Sequence, residues 1–419
     1  MTRGYSIFSL AKHALFPNQP WPQAWAKPEP KSSYDAIIIG GGGHGLATAY
    51  YLAKNHGMRN IAVLEKSYIG SGNVGRNTTL IRSNYYIGGN TNFFEFSLKL
   101  WEGLSHELNF NTMVSQRGQI VLGVSPTQMD VFARRGNIMK LHGIDAELLD
   151  RKEVEKELPY LDYSKDARWP IHGAIYQRRA GTVRHDAVAW GYARAASQLG
   201  VHIIENCEVT GMIMDGDKIT GVETTRGKIL ADKVGMAVAG HASHVAAMAG
   251  LKLPVESHIL QAFVSEPVKP IVHHVVSWGA ELFYMSQSDK GGLVFGGHID
   301  GHNTYTQRGQ FARVQTVMEC IASLAPFTQR LKLLRHWGGI MDMTPDGSPF
   351  ICKTPVRNLY LNGGWCYQGF KATPASGYTF AHTIANDEVH DLNRDFALDR
   401  FEKARELDEY GIGNWTYKQ

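Results

Sequence analysis

Cysteine pairs, long apolar runs and blocks of one charge are all missing from this 419-residue chain. Its four cysteines, Cys207, Cys320, Cys352 and Cys366, are widely separated and form no C-x-x-C pair. That spacing argues against a disulfide framework or a zinc site, and it suits a reducing compartment. No stretch approaches the roughly 18 consecutive apolar residues that a bilayer crossing requires. Near the start, the apolar run from Ile7 to Leu10 is too short for a signal-peptide core, so a cytoplasmic protein with no membrane association is expected. Lys and Arg together number 43 against 39 Asp and Glu, and the net charge of +4 is spread along the chain. Without a basic stripe or a charged tail there is no footprint for nucleic acid. Internal repeats are absent too.

What is present is apolar content, 43% of residues, ample for a large core and for two interleaved domains. Residues 1–33 stand apart. Ile7, Phe8, Leu10, Ala11, Ala14 and Leu15 fit one face of a short amphipathic helix. An arm rich in proline and tryptophan follows: Pro17, Pro20, Trp21, Pro22, Trp25, Pro28 and Pro30. Such an arm has no core of its own, so it either wraps its own domain or meets a partner subunit. Residues 34–39 then form an apolar run of strand length, as expected for a strand buried on both faces. Glycine-rich residues 40–45, a helix from Leu46 to Asn55 and a strand over 60–64 closed by Glu65 complete a βαβ unit.

The same idiom returns later in the chain. A helix is predicted over 187–199, strands over 201–204 and 233–238, and a β-meander from 208–213, 218–224 and 228–230. A strand over 358–364 and a helix over 377–385 follow. Residues 115–175 and 251–335 have a different texture, with alternating strands at 119–124, 261–265 and 293–296 and a helical run over 310–324. The fold expected is α+β or α/β. A Rossmann-like domain from 34–114, 176–250 and 336–395 is interleaved with an antiparallel-sheet substrate domain from 115–175 and 251–335, and 396–419 form a C-terminal tail.

Gly40, Gly42 and Gly45 satisfy G-x-G-x-x-G between a strand and a helix, with Gly41, Gly43 and His44 between them. The pattern permits a tight turn, close backbone approach to a pyrophosphate and close helix–strand packing. The helix start then offers free N–H groups and the positive end of its dipole to phosphates. Glu65, about 20 residues on, stands where a carboxylate bonds ribose hydroxyls, and it disfavours a 2′-phosphate. A second small-residue loop, Gly70 to Thr79, follows the acid. It is either an ordinary solvated connection or the further contact surface that an extended cofactor such as FAD requires.

From Tyr34 to Tyr85, and again at Gly181–Trp190, His336–Ile340 and Gly369–Pro374, the chain closely resembles the beta-subunit family of heterotetrameric sarcosine oxidase. The resemblance implies a glutathione-reductase-2 type FAD-binding domain holding FAD non-covalently, and FMN attached covalently to a histidine. It also implies hydride transfer from the methyl group of sarcosine (N-methylglycine) to FAD, with electrons passed to FMN and then to oxygen. The products are glycine, hydrogen peroxide and formaldehyde or, with tetrahydrofolate on the alpha subunit, 5,10-methylenetetrahydrofolate. Alpha, gamma and delta subunits are the implied partners.

Residue by residue, FAD contacts carry over to Gly40, Gly42, Gly43, His44, Gly45, Glu65, Lys66, Asn73, Asn77, Thr78, Thr79, Ile81, Val209, Gly364, Gly369, Phe370 and Lys371. The FMN-bearing position is His185, in Arg184-His185-Asp186; without the resemblance it reads as a helix cap or surface histidine. Arg82 and Lys371 match the cationic pair that clamps the substrate carboxylate, a task suited to a planar guanidinium fork and a second charged donor. By chemistry alone each reads as a surface charge. His298 aligns with an active-site histidine that orients the amine or tunes its protonation, and it equally fits a strand-end turn. Tyr85 either lines the same pocket or belongs to the core.

Three departures from relatives stand out, the first two from the monomeric enzymes and the last from some family members. No cysteine occupies the neighbourhood of Gly339, so FAD is expected to be extractable. The strand Leu293-Val294-Phe295 is apolar where those relatives carry an oxygen-activating lysine, and Trp365-Cys366-Tyr367-Gln368 replaces a more glycine-rich segment. The alternative functions are a dehydrogenase for another N-methyl amino acid such as N-methylglutamate, and a non-catalytic flavin-carrying scaffold. A nicotinamide-dependent dehydrogenase is disfavoured by the second glycine loop.

Overall fold

Two eight-stranded sheets, interleaved along the sequence, carry the architecture of the computed structural model, which describes residues 6–18, 23–278 and 283–409. Pro20, Trp21 and Pro22 of the arm, and residues 410–419 of the tail, lie outside the described residues. The chain runs α1 (Ile7–Leu15), β1 (Ser33–Ile39), α2 (Gly43–Asn55), β2 (Ile61–Leu64), β3 (Leu80–Ile81), α3 (Gly88–Glu107), β4 (Gln119–Gly123), α4 (Pro126–Leu141), β5 (Glu147–Asp150), α5 (Arg151–Glu157), β6 (Gly173–Gln177), β7 (Gly181–Thr182) and α6 (His185–Gln198). It continues through β8 (His202–Ile204), β9 (Val209–Asp215), β10 (Lys218–Thr224), β11 (Gly227–Met236), α7 (Ala242–Ala247), β12 (Glu256–Pro267), β13 (Val275–Trp278), β14 (Phe283–Gln287), β15 (Gly292–Ile299), α8 (Phe311–Leu324), β16 (Leu333–Met343), β17 (Phe350–Lys353), β18 (Leu359–Gly363) and α9 (Gly369–Asn386).

The first sheet has the order β17-β18-β11-β1-β2-β8, parallel along this row except at its β17 edge, with β10 and β9 added antiparallel on β11. Alternate residues of β1 serve opposite cores, which is why the strand reads as an unbroken apolar run. Ala36 and Ile38 pack with residues of α2, α3, α6 and α9, while Ile37 and Ile39 pack with the β9–β11 meander and α7. The two segments predicted at 228–230 and 233–238 are one strand. The first part of β11 pairs with β10, and its second part lies between β1 and β18.

The second sheet has the order β16-β12-β15-β14-β13-β4-β6-β5, antiparallel except where β13 meets β4. Its outer strand β16 pairs along β12 from Glu256↔Met343 to Ser265↔Leu333. Residues 336–343, expected with the dinucleotide-binding domain, therefore hydrogen-bond within the second sheet. So do residues 176 and 177, in β6. Gly339 in β16 serves a different contact. Here it lets the strand run against the Gly70–Thr79 loop. A Cβ on Gly339 would lie 3.3 Å from Asn73 Oδ1.

Two helices differ from the sequence reading for identifiable reasons. α9 starts at Gly369 rather than Gly377, because Pro374 is accommodated inside it. A proline costs a helix one N–H donor and usually ends the periodic signal. α3 has no capping residue of its own: Ile87 makes no side-chain cap bond. Glu409, remote in sequence, instead holds the chain entering the helix, accepting from Tyr86 N at 2.6 Å and Ile87 N at 3.1 Å.

The tail is anchored rather than loose over its described part. Arg400 and Asp346, both almost fully buried, form a two-bond ion pair at 2.7 and 2.8 Å. The arm lies on its own domain near Trp25, which packs against the first core, and Ala26 N donates to Ser197 Oγ at 3.0 Å. α1 buries none of its residues. No helix among the described residues is long and apolar enough to cross a membrane.

Candidate active site

Between the two sheets lies a cavity of about 840 Å³. The glycine turn forms one wall. Gly40 adopts φ +109°, and a Cβ on Gly45 would sit 2.0 Å from the Gly40 carbonyl oxygen, so the turn and the β1–α2 approach both need glycine. Gly42, Gly43 and His44 line the cavity. No atom lies within 4 Å of where a Gly42 Cβ would stand, and no side chain caps α2 there. An uncapped helix start facing open space fits a pyrophosphate. Glu65, buried behind the turn, accepts from Gly41 N at 2.8 Å, Ser67 N at 2.9 Å and Ser71 Oγ at 3.3 Å. It braces the turn and keeps acceptor capacity for a hydroxyl.

The second loop forms the adjoining wall, through Asn73, Asn77, Thr78 and Thr79. Thr79 has φ +69° and its N–H donates to Asn77 Oδ1 at 2.6 Å. β16 clamps this loop: Asn73 Nδ2 donates to the Ile340 carbonyl at 2.5 Å, and Trp337 Nε1 donates to the Arg76 carbonyl at 2.7 Å. The loop is thus a held surface, not a solvated connection. His44 stacks on Trp365 with ring centroids 4.6 Å apart, and burial pulls its imidazole down to about 3, so it stays neutral. Asp342, also on the wall, accepts from Gly364 N at 2.6 Å, and burial raises its carboxyl to about 6.

The cationic end of the cavity is built by loop 82–86 and the first turn of α9. Arg82 and Lys371 both line it, as do Gly369 and Phe370. The Arg82 guanidinium bonds Asn84 Oδ1 and lies 4.5 Å from the Tyr85 ring centroid. Lys371 is buried and its Nζ donates to the Tyr367 carbonyl at 2.7 Å. Burial first, and then the charge of Arg82, push its ammonium well below the ordinary lysine range. The two cations therefore face one space, where an anion would relieve both. Tyr85 itself is core, stacked on Phe94 at 3.9 Å and absent from the cavity wall.

His298 lines the cavity from β15 with φ +55°. The β12–β15 register shifts between Leu260↔Ile299 and Ala262↔Gly296, so two residues, Gly297 and His298, oppose Gln261 alone. This is a β-bulge, a device that re-aims a side chain beside a site. The strand-end turn reading gives way to it.

Other expected residues do not line this cavity, Gly40, Gly45 and Glu65 included. The Ile81 side chain is in the first core while its backbone pairs with Gly181, and Val209 packs in the second core. Lys66 Nζ lies 3.2 Å from His241 Nε2. Gly364, at φ +71°, turns the chain between β18 and α9. His185 begins α6, away from the cavity. Its Nδ1 is buried with no hydrogen-bond partner, and burial lowers its pKa.

Several wall residues were not read from sequence: Asn84, Tyr86, Gln119, Arg135, Tyr284 and Asp342 among them. None belongs to a local motif. Cys366 is there too, but it does not replace the cysteine missing near Gly339. Its Sγ accepts from Thr344 N at 3.3 Å and burial pushes the thiol up to about 12, which keeps it protonated and unreactive. Among the described residues no group of three or more His, Cys, Asp or Glu could hold a metal ion.

Residues 35–383 match the family described as FAD dependent oxidoreductase. The chain is 59% identical over 409 residues, 98% of each chain, to the sarcosine oxidase subunit beta of Rhizobium meliloti (strain 1021). It is 52% identical to the protein of the same name from Arthrobacter sp, over 92% of this chain and 96% of that one. Among solved structures, L-proline dehydrogenase from P. horikoshii superposes with a TM-score of 0.84 at 27% identity, over 90% of this chain and 100% of that one.

Proposed function

The chain belongs to the FAD dependent oxidoreductase family and, within it, to the sarcosine oxidase beta subunits, and from that premise we propose that its cavity oxidises the N-methyl group of sarcosine. It is an FAD-dependent oxidoreductase acting on the CH–NH group of amino-acid donors. The observation that carries the finer reading is the cavity itself, with an uncapped glycine turn on one wall and Arg82 with Lys371 on another.

The residues divide the work. Gly42, Gly43 and the start of α2 hold the pyrophosphate, Glu65 the ribose, and the loop from Asn73 to Thr79 the remainder of the cofactor, without a covalent bond. FAD, when bound, supplies the two-electron acceptor for the methyl C–H bond. Arg82 and Lys371 fix the substrate carboxylate and so orient the methyl group. Oxidation needs the amine lone pair, and His298 is the group placed to take the ammonium proton. The apolar wall around Ala262 and Leu260 limits water at the reacting end.

FMN is the proposed second cofactor; His185 is the residue that would hold it covalently, and the group would supply an outlet for electrons to oxygen. The buried, unpartnered Nδ1 and depressed basicity of this ring fit a modified position better than a capping one. Alpha, gamma and delta subunits complete the proposed complex, with tetrahydrofolate bound on alpha.

Arg82→Met and Lys371→Met holoenzymes test the clamp. Each is expected to retain FAD yet require roughly 100-fold more sarcosine for half-maximal reduction, the worth of a lost charge-assisted pair. Reduction of both variants at wild-type sarcosine concentrations would refute the assignment.

A further inference from the structure

Resting on that reading, we infer that the α4 wall of the cavity is a second carboxylate subsite centred on Arg135, admitting N-methyl amino acids that carry a second carboxylate. Arg135 lines the cavity and is 8% exposed. Its Nη2 donates to the Asn84 carbonyl, and its Nε is buried with no hydrogen-bond partner. The Nε is enclosed, so an anion in the cavity would meet the remaining N–H groups of a guanidinium that burial has left short of acceptors.

Glu409 does not fill that role. Glu409 lies close enough to feel the charge of Arg135, but its oxygens accept from Tyr86 N, Ile87 N and Asn90 Nδ2 at 2.6, 3.1 and 3.4 Å. No ion pair of 4 Å or less joins it to Arg135 among the described residues. The Tyr86 ring, 5.0 Å away, offers only its face.

Asn84 sets the spacing. Arg82 bonds its side-chain oxygen and Arg135 its backbone oxygen, so both guanidinium groups reach one residue of the cavity lining. A ligand whose α-carboxylate is held at Arg82 and Lys371 would bring a side-chain carboxylate toward Arg135, past the apolar Phe132 and Val131 of the same helix. The planar fork of arginine suits two carboxylate oxygens.

The test uses the FAD-loaded complex and two ligands that cannot be oxidised, methoxyacetate and glutarate, with dissociation constants read from flavin difference spectra. Wild type is expected to bind the dicarboxylate at least about tenfold more tightly, the worth of one charge-assisted hydrogen bond. Arg135→Met is expected to erase that ratio and Arg135→Lys to restore part of it. Equal affinities in the wild type, or a ratio untouched by Arg135→Met, would overturn the subsite. The wild-type comparison stands even if a variant fails to fold. Bleaching of the same wild-type complex by sarcosine separates this outcome from failure of the parent reading: bleaching with equal affinities sinks the subsite alone.

Discussion

Lys371 sits in a buried site beside another cation, and both facts favour its neutral form. A bound carboxylate reverses the balance, so the complex holds the Lys371 proton more tightly than the free protein does. Linkage then fixes the sign: carboxylate affinity falls as pH rises through the depressed lysine value of the free protein. Methoxyacetate, which has no amine to titrate, is expected to show this fall in flavin difference spectra. Lys371→Met removes it, and a pH-independent wild type would rule the coupling out. At His185 the expected observation is an intact-chain mass raised by one FMN and located to that residue's peptide. An unmodified His185 peptide from flavin-replete protein would count against the second cofactor. Arg82 and Lys371 stood out only through the family resemblance of the strings around them, whereas Arg135 reaches the cavity through the packing of α4 and has no motif at all.

Among the elements, the βαβ opening was legible because continuous apolar strands and a glycine turn leave few alternatives. The bulge in β15 was not, since a register shift depends on the partner strand and not on the residues at 297 and 298. The place of β16 in the second sheet was hidden for a related reason, since Gly339 answers a contact with a loop 267 positions earlier at the Asn73–Ile340 bond. α3 escaped notice because the acceptor that holds the chain entering it, Glu409, is remote in sequence. Glu409→Ala is therefore expected to lower stability by roughly 1–3 kcal/mol, the range for leaving shielded hydrogen-bond donors unpaired. Thermal unfolding of the FAD-loaded protein measures it. No change in melting temperature would show that α3 does not depend on the tail.

Across the whole molecule, the two sheets matter because neither alone encloses the cavity: the first brings the glycine turn and α9, the second brings Gln119, Tyr284 and His298. Composition foresaw two interleaved units but not their seams, since β6 and β16 join the second sheet at positions where the residue texture had already changed. The joint cavity is the basis for assigning amine oxidation to this chain, and anaerobic titration of the FAD-loaded complex with sarcosine tests that assignment most directly. Stoichiometric bleaching of the visible flavin absorbance is predicted, with glycine formed in equal amount; a flavin spectrum unchanged at saturating sarcosine would contradict it.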